Sequence, residues 1–288
     1  MQMKKKLKKY CYVICLVVFS MLLWGCNSEE KIGETLQEDI MVFAREDGSG
    51  TKSEFERMID TEEKGADAIA ESTEEMLKMV EENTNGIGYL AYAGITEQQQ
   101  IKVVAVDGIE PSMEMMKKGK YPLCRNYYLA YSGQLSDATS DFLRYVTLAG
   151  QKIIGEQCIA IKDSETFLSD NSKGTILITG SSSFAPIMEE LIADYKNYNP
   201  NVTIELTVTD STQGLTSAIR GECDLAVSSR ELKDYEEELL TKKLIARDGI
   251  AVIVNQDNPI TNLSQKNIKK IFDKTYQQWN ELGTSESK

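Results

Sequence analysis

Three times along this 288-residue chain an apolar, β-branched run stops at a short turn of Gly, Ser, Thr or Asp, and an amphipathic stretch with helical spacing follows. Ile40-Met41-Val42-Phe43-Ala44 runs into REDGSGT (45–51). Thr175-Ile176-Leu177-Ile178-Thr179 runs into GSSSFAP (180–186), and NVTIELTVT (201–209) runs into DSTQG (210–214). A strand can return to the same sheet after a helix only through a crossover, so this recurrence predicts an α/β layer structure rather than a sandwich or a bundle.

The rest of the chain keeps the alternation. Ser72-Thr73-Glu74-Glu75 reads as a capping box opening a helix to about Glu82. Residues 86–92 and 101–106 read as strands. Residues 141–157 carry one helical stripe of Phe142, Leu143, Tyr145, Val146, Ile153 and Ile154, a core face. A helix is expected over 187–198 and a strand over 224–228. Between 141–157 and the run 175–179 lies KDSETFLSDNSKG (162–174), the most linker-like composition in the chain beyond its N-terminal segment.

The N-terminus reads differently. Five lysines among residues 4–9 precede fifteen uncharged residues, Tyr10 to Trp24, then Gly25-Cys26. A basic head, a short apolar run and a small residue before the cut describe a secretory signal over 1–25. As a helix the run rises about 22 Å, short of a ~30 Å hydrocarbon core, which disfavours a permanent span. LWGC resembles a lipobox, which implies cleavage before Cys26, lipid on its sulfur and anchorage to the outer face of the cell membrane by several acyl chains. Residues 26–37 then form a polar tether.

Loss of the signal's five lysines leaves 27 of the 32 basic residues against 45 acidic ones, a net of −18. Such a surface argues against nucleic acid or anionic lipid as partner. Any anion must therefore be held by local geometry. Cys124, Cys158 and Cys223, the cysteines that follow the lipobox, have no metal-type spacing and read as small hydrophobes, with one disulfide left open.

The three turns offer that local geometry. A helix N-terminus presents unpaired N–H groups and partial positive charge, glycine admits a ligand to the backbone, and a hydroxyl adds a neutral donor. Arg45 adds a planar fork suited to oxyanions. Singly, each turn is also what ordinary helix capping looks like; three of them with one arginine point to an oxyanion site. Catalytic readings fare poorly. The chain has no histidine, hence no Ser-His or Cys-His pair, GSSSFAP is not a GxSxG elbow, and REDGSGT lacks the lysine of a P-loop.

Several segments together are more specific. GSSSFAPIMEEL, NPNVTIELTVTDSTQG, CDLAVSSRELK and DGIAVIVNQDNPITNLSQKNIKKIF resemble the first half of a PstS-type phosphate-binding protein, the solute receptor of an ABC importer. IMVFAREDGSGTKSEFE, NTNGIGYLAY, VDGIEPSMEMMKKGKYPLCRNYYLAYSG and 141–157 resemble its second half. In that family the GSSS-like turn comes first and the REDGSGT-like turn follows a segment resembling YQQWNELG, so the halves here are in circularly permuted order.

The resemblance implies an α/β, two-lobed periplasmic-binding-protein-like fold (type II), with mixed sheets flanked by helices. Lobe one would be 125–252, with the joint at 162–174, and lobe two would be 38–124 together with 253–288. Leu129-Ala130-Tyr131 and Ile250–Val254 would run near the hinge. It implies inorganic phosphate in the inter-lobe cleft, permease subunits as partners, a monomer, no cofactor, no metal and no catalysis. Carried over by motif, the phosphate-binding residues are Arg45, Ser49, Gly50 and Thr51 from one side and Ser182, Ser183 and Ser211 from the other. Asp47 would orient Arg45. Where some members have a cleft aspartate this chain has Ser229, followed by Arg230. A hydroxyl both donates and accepts, which loosens discrimination between phosphate and sulfate. The residues leave open a sensor or binding lipoprotein uncoupled from transport, another oxyanion such as sulfate, a surface phosphatase, and a rearranged product that no longer binds.

Overall fold

A computed structural model describes residues 38–62 and 65–283. The signal, the tether and Cys26 lie outside the described residues.

The alternation becomes a mixed sheet with helices packed on it. In chain order the elements are β1 (Met41–Arg45), α1 (Gly50–Ile59), β2 (Ala68–Ala70), α2 (Thr73–Glu81), β3 (Gly86–Ala91), β4 (Ile101–Val106) and α3 (Met113–Lys117). Then come β5 (Cys124–Tyr131), α4 (Asp137–Thr147), α5 (Gln151–Gln157), β6 (Ile159–Ala160), β7 (Gly174–Ser181), α6 (Ala185–Tyr198), β8 (Val202–Thr209) and α7 (Ser211–Arg220). The last are β9 (Leu225–Ser228), α8 (Asp234–Leu239), β10 (Thr241–Asn255), β11 (Asn262–Leu263) and α9 (Gln265–Phe272).

The strand order is β2-β1-β3-β10-β5-β9-β7-β8, with β4 also on β10, β11 beside β4 and β6 against β10. The long strand β10 joins two halves. Its first part pairs antiparallel with β5 from Thr241 to Gly249, and its second part pairs with β3 and β4. Side chains alternate across a strand, so Ile250, Val252 and Val254 enter one core with Phe55, Tyr89 and Phe272. Ala251 and Ile253 enter another, under α2, with Phe43, Met76 and Val80. Burial on both faces is why this segment reads as an unbroken apolar run. Ile245 and Ala246, in the first part, belong to a third core with Tyr127, Phe142, Tyr145 and Leu191.

Within each half, the strands that feed the turns are parallel: β1 with β2 and β3, and β7 with β8 and β9. Their carboxyl ends therefore gather REDGSGT on one side, and GSSS, DST and Ser228-Ser229 on the other. Ligand crevices of open α/β sheets form at such ends. Gly180 permits the tight packing there: at φ 142° it sits where an added Cβ would lie 2.3 Å from the Val227 carbonyl oxygen.

One expected element differs. The single helix over 141–157 is two, α4 starting earlier behind the Ser136 cap and α5 following a break at 148–150. A Cβ at Gly150 would meet Leu191 at 2.9 Å and Val146 Cα at 3.0 Å, so the chain turns where α6 packs against it. The buried Gln151 amide donates to the Val146 carbonyl at 2.9 Å, one that the break frees, and to the Ile245 carbonyl of β10 at 3.1 Å.

Residues 162–173 form no helix or strand, yet they are fastened down. Phe167 packs edge-on to Tyr145 and Tyr198. Asp141 accepts from the Ser169 hydroxyl at 2.7 Å and the Asp170 N–H at 3.2 Å, and Asn199 donates to the Ser172 carbonyl at 3.0 Å. The three described cysteines are free thiols, Cys158 buried and the other two half-buried.

Candidate functional site

The site is built where the two halves meet. On one side, β1 ends in Arg45, and Ser49 caps α1 by accepting the Lys52 N–H at 3.4 Å. Gly50 and Thr51, the first residues of α1, are buried against the other half. On that other side, β7 runs into Ser181–Ser183, Asp210 caps α7 by accepting the Gln213 N–H at 2.8 Å, and Ser229 follows β9.

The hydroxyls of the second half form one buried cluster. Ser181 lies 2.9 Å from Ser183 and 2.9 Å from Ser229, and Ser229 lies 3.1 Å from Ser211, whose oxygen also accepts the Ser229 N–H at 3.0 Å. Gly50 abuts this cluster so closely that a Cβ there would lie 2.4 Å from both Ser211 and Ser229 oxygens. The Gly48 carbonyl accepts the Thr212 N–H at 3.3 Å. The N-termini of α1 and α7 thus face each other across the hydroxyls.

Two guanidinium groups reach across the junction. Arg45 is 1 % exposed and donates to Ser182 at 3.1 Å. It is held by a two-pronged pair with Glu46 at 2.8 and 2.9 Å and by the Ala70 carbonyl at 3.3 Å. Burial pushes the Glu46 carboxyl up, Arg45 pulls it back down, and the net direction is upward. Arg125, on β5, is 3 % exposed. It donates to Thr51 at 2.7 Å in one half and to Ser183 at 3.3 Å in the other. It also reaches Tyr127 at 2.7 Å and the Ser229 carbonyl at 3.4 Å.

Behind Arg125 sits Asp248, fully buried, which accepts from the Tyr127 hydroxyl at 3.3 Å. Burial pushes its carboxyl up to about 6, against the pull of Arg125, the Gly249 and Ala93 N–H groups and Tyr127.

Of the residues marked in the sequence, Gly50, Ser211 and Ser229 meet directly, Ser183 joins through Ser181, Thr51 joins through Arg125, and Arg45 reaches across to Ser182. Ser49 is buried beside them in its capping role. Asp47 is a correction. It does not touch Arg45; its side chain is 99 % exposed and pairs with Lys52 at 2.7 Å. The Glu46 N–H still pairs with the Ala70 carbonyl, and the Ser49 N–H turns back to the Glu46 carbonyl. That keeps Glu46 beside Arg45 and puts Asp47 on the outer corner. Arg230 forms no hydrogen bond to the cluster's hydroxyls; it clamps Glu236 at 2.8 and 2.9 Å and donates to Thr212 at 3.2 Å, bracing the start of α7. Sequence reasoning missed Arg125, Tyr127, Ser181 and Asp248. The partners that carry them into the site, Thr51, Ser183, Ser229 and Tyr127, lie 48 to 121 residues away along the chain, and only their place inside quoted motifs hinted at them.

The arrangement can surround a small oxyanion with hydroxyls, helix N-termini and two guanidinium forks. No histidine accompanies them. Comparison with known proteins agrees. The model of the PBP superfamily domain matches residues 28–149 and 166–288. Phosphate-binding protein PstS 2 of Streptococcus pneumoniae serotype 4 is 30% identical over 292 residues, covering 96% of this chain and 99% of the relative. PstS 2 of Streptococcus agalactiae serotype V is 31% identical over 276 residues, covering 91% and 93%. A crystal structure of a phosphate-binding protein of a phosphate ABC transporter, from S. pneumoniae TIGR4, superposes with a TM-score of 0.69 at 32% identity. It spans 85% of this chain and 100% of that one. The chain belongs to the PBP superfamily and, within it, to the PstS-type family of phosphate-binding proteins.

Proposed function

We propose that this protein is a lipid-anchored, extracytoplasmic solute receptor that captures inorganic phosphate between its two halves and delivers it to an ABC-type importer. One observation carries the reading. Buried hydroxyls, two helix N-termini and two arginines, contributed by both halves, converge on one junction that is rich in donors, and the buried Arg125 Nε there has no acceptor. Desolvated donors of this kind are costly unless an acceptor rich in lone pairs satisfies them. A tetrahedral oxyanion is such an acceptor, and bound there it would hold the halves together, which is how hinge closure is driven.

The residues proposed to touch the anion are Arg45, Ser49, Gly50, Thr51, Ser182, Ser183, Ser211 and Ser229. The relatives named as phosphate-binding and transport proteins support phosphate as the ligand and permease subunits as partners. They also favour binding over catalysis.

The lobes are proposed as 125–252 and, from both ends of the chain, 38–124 with 253–288. Circular permutation accounts for that arrangement. Ile40 donates to the Gln277 carbonyl at 2.7 Å and Asp39 bridges Gln278, so the two ends adjoin, as a cut in a closed chain requires. The family match is interrupted at 150–165, beside the proposed joint. A relative alignable along nearly its whole length carries the same segment order, which favours a working receptor over a broken one.

The test is calorimetry on residues 27–288 with phosphate, arsenate, sulfate and molybdate in turn. Saturable phosphate binding is expected, with sulfate competing measurably because Ser229 replaces an acceptor-only carboxylate. Absence of any saturable oxyanion binding removes the reading. Phosphate uptake in a deletion strain separates a transport receptor from a sensor.

A further inference from the structure

We infer that Arg125, rather than Arg45, supplies the net positive charge that holds the anion. This rests on the phosphate-binding reading above and names the charge that performs it.

The two guanidinium groups are not equivalent. Arg45 is already neutralised, with both prongs of its fork on Glu46. Its remaining bonds go to Ser182 of the other half and to Ala70 and Thr73 of its own. Arg230, the third buried arginine, is likewise neutralised by Glu236. Arg125 is the exception. Among the described residues its guanidinium pairs with no carboxylate; every partner is neutral, namely Thr51, Tyr127, Ser183 and the Ser229 carbonyl. Its Nε is buried with no partner. The closest acid in its network, Asp248, is separated from it by the Tyr127 phenol.

A buried cation without a counter-ion is strongly disfavoured, and proteins meet that cost with a partner charge. Arg125 stands between Thr51 at the start of α1 and Ser183 of the opposite turn, so an anion lying between those hydroxyls would take its charge. The N-termini of α1 and α7 add partial positive charge on either side, that of α7 offset by the Asp210 carboxylate that caps it.

The experiment titrates wild type, Arg125→Gln and Arg45→Gln, all as residues 27–288, with inorganic phosphate, and records melting temperatures with and without it. Arg125→Gln is expected to bind phosphate more than 100-fold more weakly, and more weakly than Arg45→Gln. Its ligand-free melting temperature is expected to stay close to that of wild type, because the bonds Arg125 makes across the junction matter most when the anion holds the halves together. The phosphate-induced rise in melting temperature is expected to vanish. Phosphate affinity within threefold of wild type overturns the inference, as does an Arg45→Gln loss larger than that of Arg125→Gln. If Arg125→Gln does not fold, Arg125→Lys replaces it. There the fork to Thr51 and Ser183 is lost, so at least tenfold weaker binding is expected and unchanged binding refutes the role. Wild type that binds no phosphate defeats the functional reading itself, an outcome distinct from wild type that binds while the Arg125 variants bind equally well.

Discussion

Replacing Gly50 by alanine probes the junction with a single methyl group. The Cβ would lie 2.4 Å from the Ser211 oxygen, 2.4 Å from the Ser229 oxygen and 3.1 Å from Ser211 Cβ. Both hydroxyls can swing aside, but each swing breaks a bond of the cluster, Ser211–Ser229 at 3.1 Å or Ser181–Ser229 at 2.9 Å. The Ser211 Cβ contact stays tight whichever rotamers are chosen. Overpacking a filled site costs about 1–3 kcal/mol. Two simultaneous overlaps put the expected cost near the upper end, about 3 kcal/mol, or roughly 100-fold in affinity. The penalty falls on the contact between halves, and Gly50 opens α1, where alanine suits a helix well. Stability of the ligand-free protein should therefore change by less than about 1 kcal/mol. Calorimetry with phosphate and urea unfolding without it separate the two effects. Gly155→Ala is the control, since its Cβ would sit 3.7 Å from Ala160, an ordinary contact. Gly50→Ala binding phosphate within threefold of wild type would refute the idea that the halves clasp the anion at this point.

Arg45→Ala removes a charged fork from the junction and should weaken phosphate binding by about 2 kcal/mol, roughly thirtyfold, by calorimetry; an unchanged affinity takes Arg45 out of the site. Asp248→Asn tests the buried acid. A carboxyl raised from 3.8 to about 6 binds its proton more tightly folded than unfolded, so its stabilising contribution is full below pH 4 and lost as pH rises to about 6. At about 1.4 kcal/mol per pH unit this is worth about 3 kcal/mol. Urea unfolding at several pH values should show that decline, relative to Asp248→Asn, only in wild type; parallel curves would mean Asp248 titrates normally. Cys26→Ala should release the protein from the membrane fraction into the medium, and continued membrane retention would contradict acylation at that residue.

Much of the architecture was legible because period and punctuation agree. The runs ending at Arg45, Ser181 and Thr209 are strands, and Ser49, Ser72 and Asp210 are the caps their positions suggest. The first part of β10 was not legible, because TKKLIARD alternates weakly and is fixed as a strand by its pairing with β5. The break at 148–150 was hidden because apolar spacing stays in phase across it, and only packing against Leu191 shows why the chain turns. Within the site, the turns announced themselves through local composition. Arg125 did not, since its partners Thr51 and Ser183 are 74 and 58 residues away. Choosing Asp47 over Glu46 as the arginine's partner failed for a related reason: the decision lies in which residue still pairs with β2, and composition does not record that.

The most direct measurement is a crystal structure of residues 27–288 grown with saturating phosphate. The account predicts one tetrahedral anion at the junction, within hydrogen-bond distance of Arg125, Thr51, Ser183 and Arg45, with the α1 and α7 N-termini directed at it. A phosphate bound elsewhere, or a junction whose hydroxyls remain bonded only to one another at saturating phosphate, would contradict it.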